Sequence, residues 1–417
     1  MNTDEQAIVD AVDGDAIVRL ASELIAIPTI NGEEAAGQHH VAGVLSGMGA
    51  DVDTWSIDMD ALATHTAFSA EVPHDGALGV VGSFFGAGQG RSLLLNGHID
   101  VVPTGDPADW TTGPFEPRVR AGALYGRGAC DMKGGLAAAI AAVDAVQRSG
   151  VEIGGRVLVA SVIGEEDGGC GTLATLLRGV SADACIIPEP TELAVVPANA
   201  GALSFRIRIR GLSAHGATRE EGVSAIERLP IVHRALLDLE RDRNTRDIDP
   251  LFSWMKLPYA ICAGRVRGGD WPSSEADWLE LEGRYGVAPG EDLDAARREL
   301  EDAIAAAALQ DEWLTEHPPT VEWWGGQFLP GRTDTSHPIV TTVSGALEDA
   351  SSRALSMKGM PYGCDLGLMD RVGGIPTVVF GPGDVRHAHR PDEHVPIDDL
   401  VDCARTIALS IVRFCSS

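Results

Sequence analysis

Apolar residues recur at two spacings along the chain, and these spacings predict helices that alternate with short strands. Residues 15–27 carry apolar side chains three and four positions apart, which is typical of an amphipathic helix, and Pro28 ends this run. Two more helices are predicted over residues 33–48 and 136–148. The alternation indicates a sheet of the α/β class. Short apolar runs predict its buried strands, at residues 93–95, 155–163, 184–187 and 376–380.

A glycine-rich sequence, GAGQG at residues 86–90, lies between two apolar runs within residues 77–95. A dinucleotide-binding loop requires a strand, then the glycines, then a helix. Here a second strand follows the glycines. We therefore predict a hairpin turn and no nucleotide site.

Three predicted strands end in side chains that bind metal ions in other proteins. His98 and Asp100 are two positions apart and so point to one side, where the carboxylate could accept the second N–H of the imidazole. Glu165 and Glu166 follow the strand at 155–163, and Glu189 follows the strand at 184–187. The carboxyl ends of parallel strands lie along one sheet edge, so we expect these side chains to converge.

Asp131 and three C-terminal histidines extend this set. Asp131 precedes a predicted helix, where an aspartate is also an ordinary N-cap residue. His387, His389 and His394 follow the last predicted strand, and the residues alone leave open which of them would bind. Imidazole with carboxylate is a ligand mixture that suits zinc, cobalt or manganese.

Five segments, NGHIDVVP, GRGACDMKGG, IGEEDGG, PEPT and AHRPDEHV, resemble the signature blocks of the di-zinc aminoacylase and carboxypeptidase family. That family includes acetylornithine deacetylase, succinyl-diaminopimelate desuccinylase and glutamate carboxypeptidase. The blocks stand in the family's order, and the similarity extends over nearly the whole chain. The resemblance implies a zinc-peptidase-like catalytic domain with a central mixed sheet flanked by helices. It also implies two divalent metal ions per subunit, Zn²⁺ first, with Co²⁺ or Mn²⁺ as alternatives.

The resemblance assigns a role to each residue of the set. One metal would be held by His98 and Glu189, and a second by Glu166 and His389, with Asp131 bridging them. His389 is preferred among the three histidines because the family's ligand is followed at short spacing by a glutamate, here Glu393. Asp100 would support His98. The peptide bond after Asp131 would be cis.

Glu165 would remain free of the metals and act as general base and then general acid. A hydroxide bridging the metals would attack an amide carbonyl, and Glu165 would pass the proton to the departing amine. The predicted function is therefore removal of an N-acyl group from an amino acid or a similar small carboxylate. The alternatives are a dipeptidase or carboxypeptidase acting on small peptides, and hydrolytic deamination of an aromatic amino-acid-like substrate.

Residues 200–326 have a different pattern of predicted strands and helices, which indicates a second domain. The alternating strand LSFRIRIRG would be followed by a turn and a helix, an irregular stretch to Pro272, two strands near 278–285 and 321, and a helix at 292–309 between them. We interpret this as a β-α-β-β-α-β, ferredoxin-like α+β insert. In the family such an insert is a lid and dimerisation domain. Residues 1–199 and 327–417 would form the catalytic domain.

The resemblance suggests three functional residues in this insert. His215 matches a lid histidine that donates to the oxyanion in the partner subunit's site. Arg284 aligns with an arginine that grips a substrate carboxylate, and Asp270 with a neighbouring asparagine. Arg206, Arg208 and Arg210 share one strand face and are interpreted as a solvated face, with an anion site as the alternative.

Composition restricts the partners. The chain has 417 residues, with 32 Lys and Arg against 61 Asp and Glu, a formal net charge of −29. Such a surface repels phosphate backbones and anionic lipids, so we expect a small-molecule substrate and neither nucleic acid nor membrane. The seven cysteines form no C-x-x-C pair, and the acidic N-terminus has no signal-peptide pattern. We expect a cytoplasmic homodimer.

Overall fold

The chain leaves its first structural unit after Asn199 and returns to it at Gly331. The computed structural model describes residues 1–86, 90–246 and 248–416. Unit 1 comprises Met1–Asn199, Gly331–Gly359 and Cys364–Ser417, and unit 2 comprises Ala200–Pro330 and Met360–Gly363. Unit 2 is therefore an insertion in unit 1. The roles predicted for the two parts, catalysis and lid, stay predictions.

Unit 1 begins with helices that lie between short strands. The helices before Asn199 are α1 (Thr3–Asp10), α2 (Gly14–Ile25), α3 (Ala35–Gly47), α4 (Met59–Leu62), α5 (Lys133–Ser149) and α6 (Cys170–Leu177). The strands are β1 (Asp51–Ser56), β2 (Leu78–Phe84), β3 (Leu93–His98), β4 (Arg118–Arg120), β5 (Ala123–Tyr125), β6 (Val157–Val162), β7 (Ala184–Ile187) and β8 (Ala198–Asn199).

Unit 2 has the predicted β-α-β-β-α-β order. Its elements are β9 (Gly201–Arg210), α7 (Leu229–Arg243), β10 (Ile261–Gly268), β11 (Trp278–Val287), α8 (Leu293–Ala308), α9 (Glu312–Glu316) and β12 (Thr320–Phe328). The described strands form an antiparallel sheet in the order β10-β11-β9-β12. Phe205, Ile207 and Ile209 of β9 are buried in a core shared with α7 and α8. The ferredoxin-like prediction is confirmed.

The opposite face of this sheet is charged. Arg206 lies 2.7 Å from Glu282, and Arg208 lies 3.1 Å from Glu280 on the neighbouring strand. Because carboxylates already neutralise these arginines, the interpretation as a charged strand face is favoured over an anion site.

Two predictions within unit 2 are wrong in detail. The stretch before Pro272 contains β10, which is exposed over most of its length and therefore lacks a clear apolar alternation. The helix predicted after the turn at His215 begins only at Leu229. The residues between them form two short 3₁₀ turns, Gly216–Glu221 and Ile226–Arg228, and the first ends at Gly222.

After Gly331 the chain completes unit 1. The elements are β13 (Gly331–Arg332), α10 (Pro338–Ala350), α11 (Leu366–Arg371), β14 (Thr377–Val379), β15 (His394–Pro396) and α12 (Ile397–Cys415). The central sheet has the order β1-β2-β6-β3-β7-β14 among the described strands. β6, β3, β7 and β14 are parallel to one another, whereas β2 is antiparallel to both of its neighbours, β1 and β6. The central mixed sheet is confirmed.

Helices cover both faces of β3. Nδ2 of Asn96 donates to Oγ1 of Thr172 on α6 at 3.1 Å. A Cβ at the next residue, Gly97, would lie 3.2 Å from Leu136 on α5. Since successive strand residues point to opposite faces, α5 and α6 lie on opposite sides of the sheet. The apolar sequence of β3 reflects this double burial.

The hairpin predicted around residues 86–90 is wrong. β2 and β3 are not neighbours, because β6 lies between them and pairs with both. An apolar run shows that a strand is buried, but it does not specify the partner. Residues 87–89 of the glycine-rich sequence lie outside the described residues.

None of the helices described is long and apolar enough to cross a membrane.

The alternation along β9 yields a test of stability. Ile207→Ala removes a fully buried side chain. It should lower, by about 2–5 kcal/mol, the free energy of the local unfolding that exposes the backbone amides of strands β9, β10, β11 and β12 to hydrogen exchange. Hydrogen exchange with mass spectrometry measures this quantity locally. Arg208→Ala, one position along on the charged face, is the control and should cost less than about 1 kcal/mol. Equal losses in the two variants would contradict the observed orientation of β9.

Candidate metal centre and active site

The carboxyl ends of the parallel strands carry the predicted residues to one edge of the sheet. His98 is the last residue of β3, and Glu165 and Glu166 follow β6 after a turn at Gly164. Glu189 follows β7, and its side chain is buried. Parallel pairing of β3 with β6 and β7 therefore brings these side chains together.

Asp131 lies between two histidines. Its Oδ1 is 3.2 Å from Nε2 of His98, and its Oδ2 is 3.3 Å from Nε2 of His389. Nε2 of His389 also lies 2.9 Å from Oε2 of Glu166, and Nε2 of His98 lies 3.5 Å from Oε1 of Glu189. The two oxygens of the Asp131 carboxylate thus face two separate groups of candidate metal ligands: His98 with Glu189, and His389 with Glu166. The peptide bond Asp131–Met132 is cis, as predicted.

The donor set suits divalent cations. Ligand atoms of His98, Glu165 and Glu189 lie within 4.8 Å of one another, as do those of His98, Asp131 and Glu166. Oε1 of Glu189 is buried and accepts no hydrogen bond from any residue described. Carboxylates outnumber imidazoles at this edge, and buried excess charge is unfavourable unless an opposite charge compensates it. Mixed imidazole and carboxylate donors fit zinc, cobalt or manganese.

The pKa values reflect the same excess of negative charge. Burial, and next the charge of Glu189, raise the pKa of Glu165 well above its usual range. Burial and the charge of Asp131 likewise raise the pKa of Glu189. Burial would also raise the pKa of Asp131, but hydrogen bonds from His389 and His98 hold it well below its usual range. The carboxylates therefore compete for the positive charge of two imidazoles.

Asp100 supports His98 through a different atom from the predicted one. Nδ1 of His98 lies 2.9 Å from the backbone carbonyl oxygen of Asp100, whereas the nearest carboxylate oxygen is 3.6 Å away. The carboxylate is engaged elsewhere, because its Oδ2 accepts the N–H of Glu166 at 3.0 Å. Asp100 is fully buried, and burial raises its pKa to about 7. Its backbone thus orients His98, and its side chain holds the turn at Glu166.

The three C-terminal histidines have different surroundings. The ring of His387 stacks on that of His394 with centroids 4.1 Å apart, and His394 stacks on Tyr125 at 4.6 Å. His389 instead has a positive φ of 58° and turns its ring to Asp131. Because the rings of His387 and His394 are engaged in this stack and the ring of His389 faces Asp131, His389 is the favoured metal ligand of the three.

A buried ion pair that the sequence reasoning missed fixes the backbone of Asp131. Oε1 of Glu393 accepts the N–H groups of Cys130 and Asp131 at 3.0 and 3.1 Å. Nη1 of Arg127 donates to Oε2 of Glu393 at 2.6 Å, and both side chains are almost fully buried. Arg127 lies in the segment GRGACD. In the sequence analysis Glu393 was used only to choose His389 among the three histidines, and neither residue was given a role. A charged residue inside an otherwise buried motif was the available signal.

Other buried polar residues around the site also lacked an assigned role. Nζ of Lys133 donates to the carbonyl oxygens of Leu24 and Ile27, both at 2.9 Å, and burial lowers the pKa of this amine to about 7. Asp365 accepts hydrogen bonds from Asn96 and Thr172 beneath the sheet edge. These contacts connect the loops that carry the site to the helices behind them.

The three residues predicted in unit 2 do not form one cluster. His215 is exposed, and its Nδ1 accepts the N–H of Ala217 at 3.1 Å. Asp270 accepts from Nε1 of Trp278 at the start of β11. Arg284, six residues further along this strand and so roughly 20 Å away, donates to the carbonyl oxygen of Pro361 at 2.9 Å. Within unit 2, Asp270 and Arg284 therefore do not share a subsite.

A family model decides the class of this site. The model of peptidase family M20/M25/M40 matches residues 94–413, which is more than half of the chain. The chain belongs to this family. The resemblance carried by the five segments is confirmed, and with it the activity class, hydrolysis of C–N bonds.

Two curated relatives cover most of the chain. N-formyl-4-amino-5-aminomethyl-2-methylpyrimidine deformylase from Bacillus subtilis (strain 168) is 29% identical over 425 residues, covering 96% of this chain and 95% of the relative. Acetylornithine deacetylase from Edwardsiella ictaluri (strain 93-146) is 31% identical over 346 residues, covering 79% and 82% of the two chains.

Solved structures share the fold at lower identity. A tripeptidase from Staphylococcus aureus has a TM-score of 0.76 at 20% identity, covering 97% of this chain and 99% of that one. A dinuclear metal-binding peptidase of the M20 family from Bacillus subtilis has a TM-score of 0.65 at 16% identity, with coverage of 97% and 99%.

Because the ion pair of Arg127 and Glu393 is buried, substitutions at the two positions should have strongly coupled effects on the stability of unit 1. Glu393→Leu leaves a buried guanidinium without its partner and should destabilise unit 1 by about 3–5 kcal/mol. The double variant with Arg127→Met should cost less than Glu393→Leu alone. Hydrogen exchange of the peptide containing Cys130 and Asp131 reports the loss directly.

The control is an exposed ion pair of unit 1. Asp144→Asn removes the partner of Arg148, 2.7 Å away, and should change stability by less than about 1 kcal/mol. If Glu393→Leu had an equally small effect, the buried pair would not hold the Asp131 backbone.

Proposed function

We propose that the chain hydrolyses the amide bond between a short acyl group and a small amine, in a reaction that depends on two divalent metal ions. The observation that carries this proposal is the position of Asp131, whose two oxygens face His98 and His389 at 3.2 and 3.3 Å. A carboxylate between two such groups is the arrangement that a shared ligand of two cations requires.

The remaining donors divide between the two sides of Asp131. His98 and Glu189 would hold one ion, and Glu166 and His389 would hold the other. The structural neighbour from Bacillus subtilis is a dinuclear metal-binding peptidase of the same family, which supports two ions. When bound, the ions would polarise the substrate carbonyl and lower the pKa of a water molecule to about 7. Zinc is proposed first, with cobalt or manganese as alternatives.

Glu165 would move the proton. Water adds to the amide carbonyl carbon, and the carboxylate of Glu165 takes the proton that the water loses. As the C–N bond breaks, Glu165 returns this proton to the amide nitrogen, so that a carboxylic acid and an amine leave. The side chain of Glu165 is buried beside His98 and Glu189, away from bulk water that could exchange this proton.

The relatives support a small acyl group. By their names, the two curated relatives remove a formyl group and an acetyl group. The named pyrimidine substrate carries no carboxylate, and the guanidinium of Arg284 already donates to Pro361. We therefore propose selection by the acyl group. Arg284 and Asp270 are alternative secondary candidates for contact with the amine portion, because they do not share a subsite within unit 2.

A substrate panel tests the proposal. The panel contains N-formyl-4-amino-5-aminomethyl-2-methylpyrimidine, N-acetylornithine, a dipeptide and an aromatic amino acid, each assayed with Zn²⁺, Co²⁺ or Mn²⁺. We expect kcat/KM for a formyl or acetyl amide to exceed that for the dipeptide at least about tenfold. Turnover of the dipeptide alone would replace this proposal with a peptidase, and release of ammonia alone with a deaminase.

The two adjacent glutamates should respond differently to loss of charge. Glu165→Gln should keep both ions and lose about 10²–10⁴-fold in kcat, because the proton carrier is gone. Glu166→Gln should lose metal instead, since a ligand is gone. Metal content after dialysis against a chelator, measured beside kcat, separates the two. Normal turnover by Glu165→Gln would rule out its proton transfer.

His215 is proposed to contact the developing oxyanion in the partner subunit of a homodimer formed through unit 2. His215→Ala should lower kcat by about a hundredfold or more with bound metal unchanged. His317→Ala is the control, because His317 in the same unit stacks on Trp313 at 3.9 Å.

Mixing two inactive variants tests whether His215 acts across the dimer. Glu165→Gln and His215→Ala subunits, exchanged at equal amounts, should restore roughly a quarter of wild-type activity, because each mixed dimer holds one intact site. If subunit exchange is shown to have occurred and activity is still not restored, His215 acts in the site of its own subunit or has no role in catalysis.

A further inference from the structure

His74 is buried between two carboxylates from different parts of unit 1. Its Nδ1 lies 3.1 Å from Oε1 of Glu34, at the start of α3. Its Nε2 lies 3.3 Å from each carboxylate oxygen of Asp167. His74 is 5% exposed, and Glu34 and Asp167 are each 3% exposed. No role for any of the three follows from the sequence motifs described above.

The charge state of His74 follows from these contacts. An ionised carboxylate can only accept a hydrogen bond, so Nε2 of the ring donates to Asp167, whereas Nδ1 faces Glu34 at ion-pair distance without forming a hydrogen bond. Carboxylates on both sides of the ring favour its imidazolium form. Burial by itself would lower the pKa of His74. Contacts with Asp167, Cys170 and Glu34 instead raise it to about 12. One cation thus joins two buried anions.

This bridge is attached to both ends of the turn that carries Glu165 and Glu166. Asp167 is the residue directly after Glu166. Gly164, directly before Glu165, has a φ of +60°, and a Cβ there would lie only 2.8 Å from Cε1 of His74. The imidazole therefore contacts the residues on either side of the two glutamates.

Asp167 also fixes the segment that leads to His74. Its Oδ2 accepts the backbone N–H groups of Glu71 and Val72 at 3.0 and 3.1 Å. Glu34 is fixed in turn, because its Oε1 accepts the N–H of Gly32 at 2.8 Å. The bridge is therefore held at both of its ends by backbone groups.

We propose that His74 is a positioning residue, which clamps the turn after β6 so that Glu165 and Glu166 keep their separate places. This inference rests on the proposed function for the roles of these two glutamates. Loss of the clamp would let the turn shift, and small shifts of reacting groups lower kcat with little effect on substrate binding. It would also weaken metal retention, because Glu166 lies on the same turn.

A metal ion at His74 is the alternative. Ligand atoms of His74, Asp167 and Cys170 lie within 4.8 Å of one another. However, a Cβ at Gly164 would lie 2.5 Å from Sγ of Cys170, so the turn backbone closes against the sulfur. The Cys170 thiol also donates to the backbone carbonyl oxygen of Ile163, with Sγ and the oxygen 3.9 Å apart. We therefore assign the cluster as an ion bridge.

The test compares His74→Gln with His40→Gln in the full chain loaded with Co²⁺. His40 is the matched control, because its Nε2 lies 3.3 Å from Glu23 but its side chain is 31% exposed. Four quantities are measured: the visible spectrum of bound cobalt, the rate of cobalt loss to a chelator, kcat and KM for N-acetylornithine, and the thermal unfolding midpoint.

We expect His74→Gln to lose cobalt about 10–100-fold faster and to lower kcat by a similar factor, with KM within about twofold. Its cobalt spectrum should change, and His40→Gln should match the wild type. Glu34→Gln keeps the volume of the side chain and should have a smaller effect in the same direction. In a double-mutant cycle, His74→Gln and Asp167→Asn should be far from additive in kcat.

Three results would overturn the proposal. The first is a His74→Gln protein with wild-type kcat, spectrum and cobalt retention. The second is a variant whose only change is a lower unfolding midpoint, which indicates a merely structural role. The last is a metal content of three ions per chain in the wild type that falls to two in Cys170→Ser. If no panel substrate is turned over, the proposed function fails, but the spectrum and the cobalt loss still decide the role of His74.

Discussion

The position of Asp131 between two histidines is the constraint on which the rest of unit 1 depends. One carboxylate can face His98 and His389 at the same time only if its backbone is fixed, because any shift moves both oxygens together. Glu393 provides this fixation by accepting the N–H of Asp131, and Arg127 compensates the charge of Glu393. A buried arginine thus acts on the site without touching the reacting groups, as supporting residues do around other metal sites.

Buried negative charge is distributed unevenly around this site. Away from the sheet edge some buried carboxylates are paired with a cation: Glu393 with Arg127, and Asp167 together with Glu34 with His74. At the edge itself the carboxylates share only the two imidazoles. Since an uncompensated buried charge is costly, the fold concentrates its unbalanced charge where divalent cations would bind. The proposed metal ions would compensate this excess of buried negative charge at the edge.

The convergence of several candidate residues at one sheet edge was predictable from sequence, because these residues lie at or just beyond the ends of strands. His98, Glu165 and Glu189 stand within three residues of the end of an apolar run, and parallel pairing then brings them together. Strand partners were not predictable, since an apolar run records burial but not its neighbour, and the hairpin prediction failed for this reason. β10 was missed because an exposed edge strand has no apolar alternation. His74 was missed because its partners lie 40 and 93 positions away in the chain.

The different roles proposed for Glu165 and Glu166 depend on the turn that joins them to β6. The N–H of Glu166 is held by Asp100, and its carboxylate faces His389, whereas Glu165 is buried towards His98 and Glu189. Within a regular strand, adjacent side chains also diverge, but they point to opposite faces of the sheet and could not share one edge. A tight turn beyond the strand end allows both glutamates to remain at the edge with separate surroundings. The identity of the two residues is therefore less decisive than the backbone that orients them, which is why contacts to Gly164 and Asp167 bear on the chemistry.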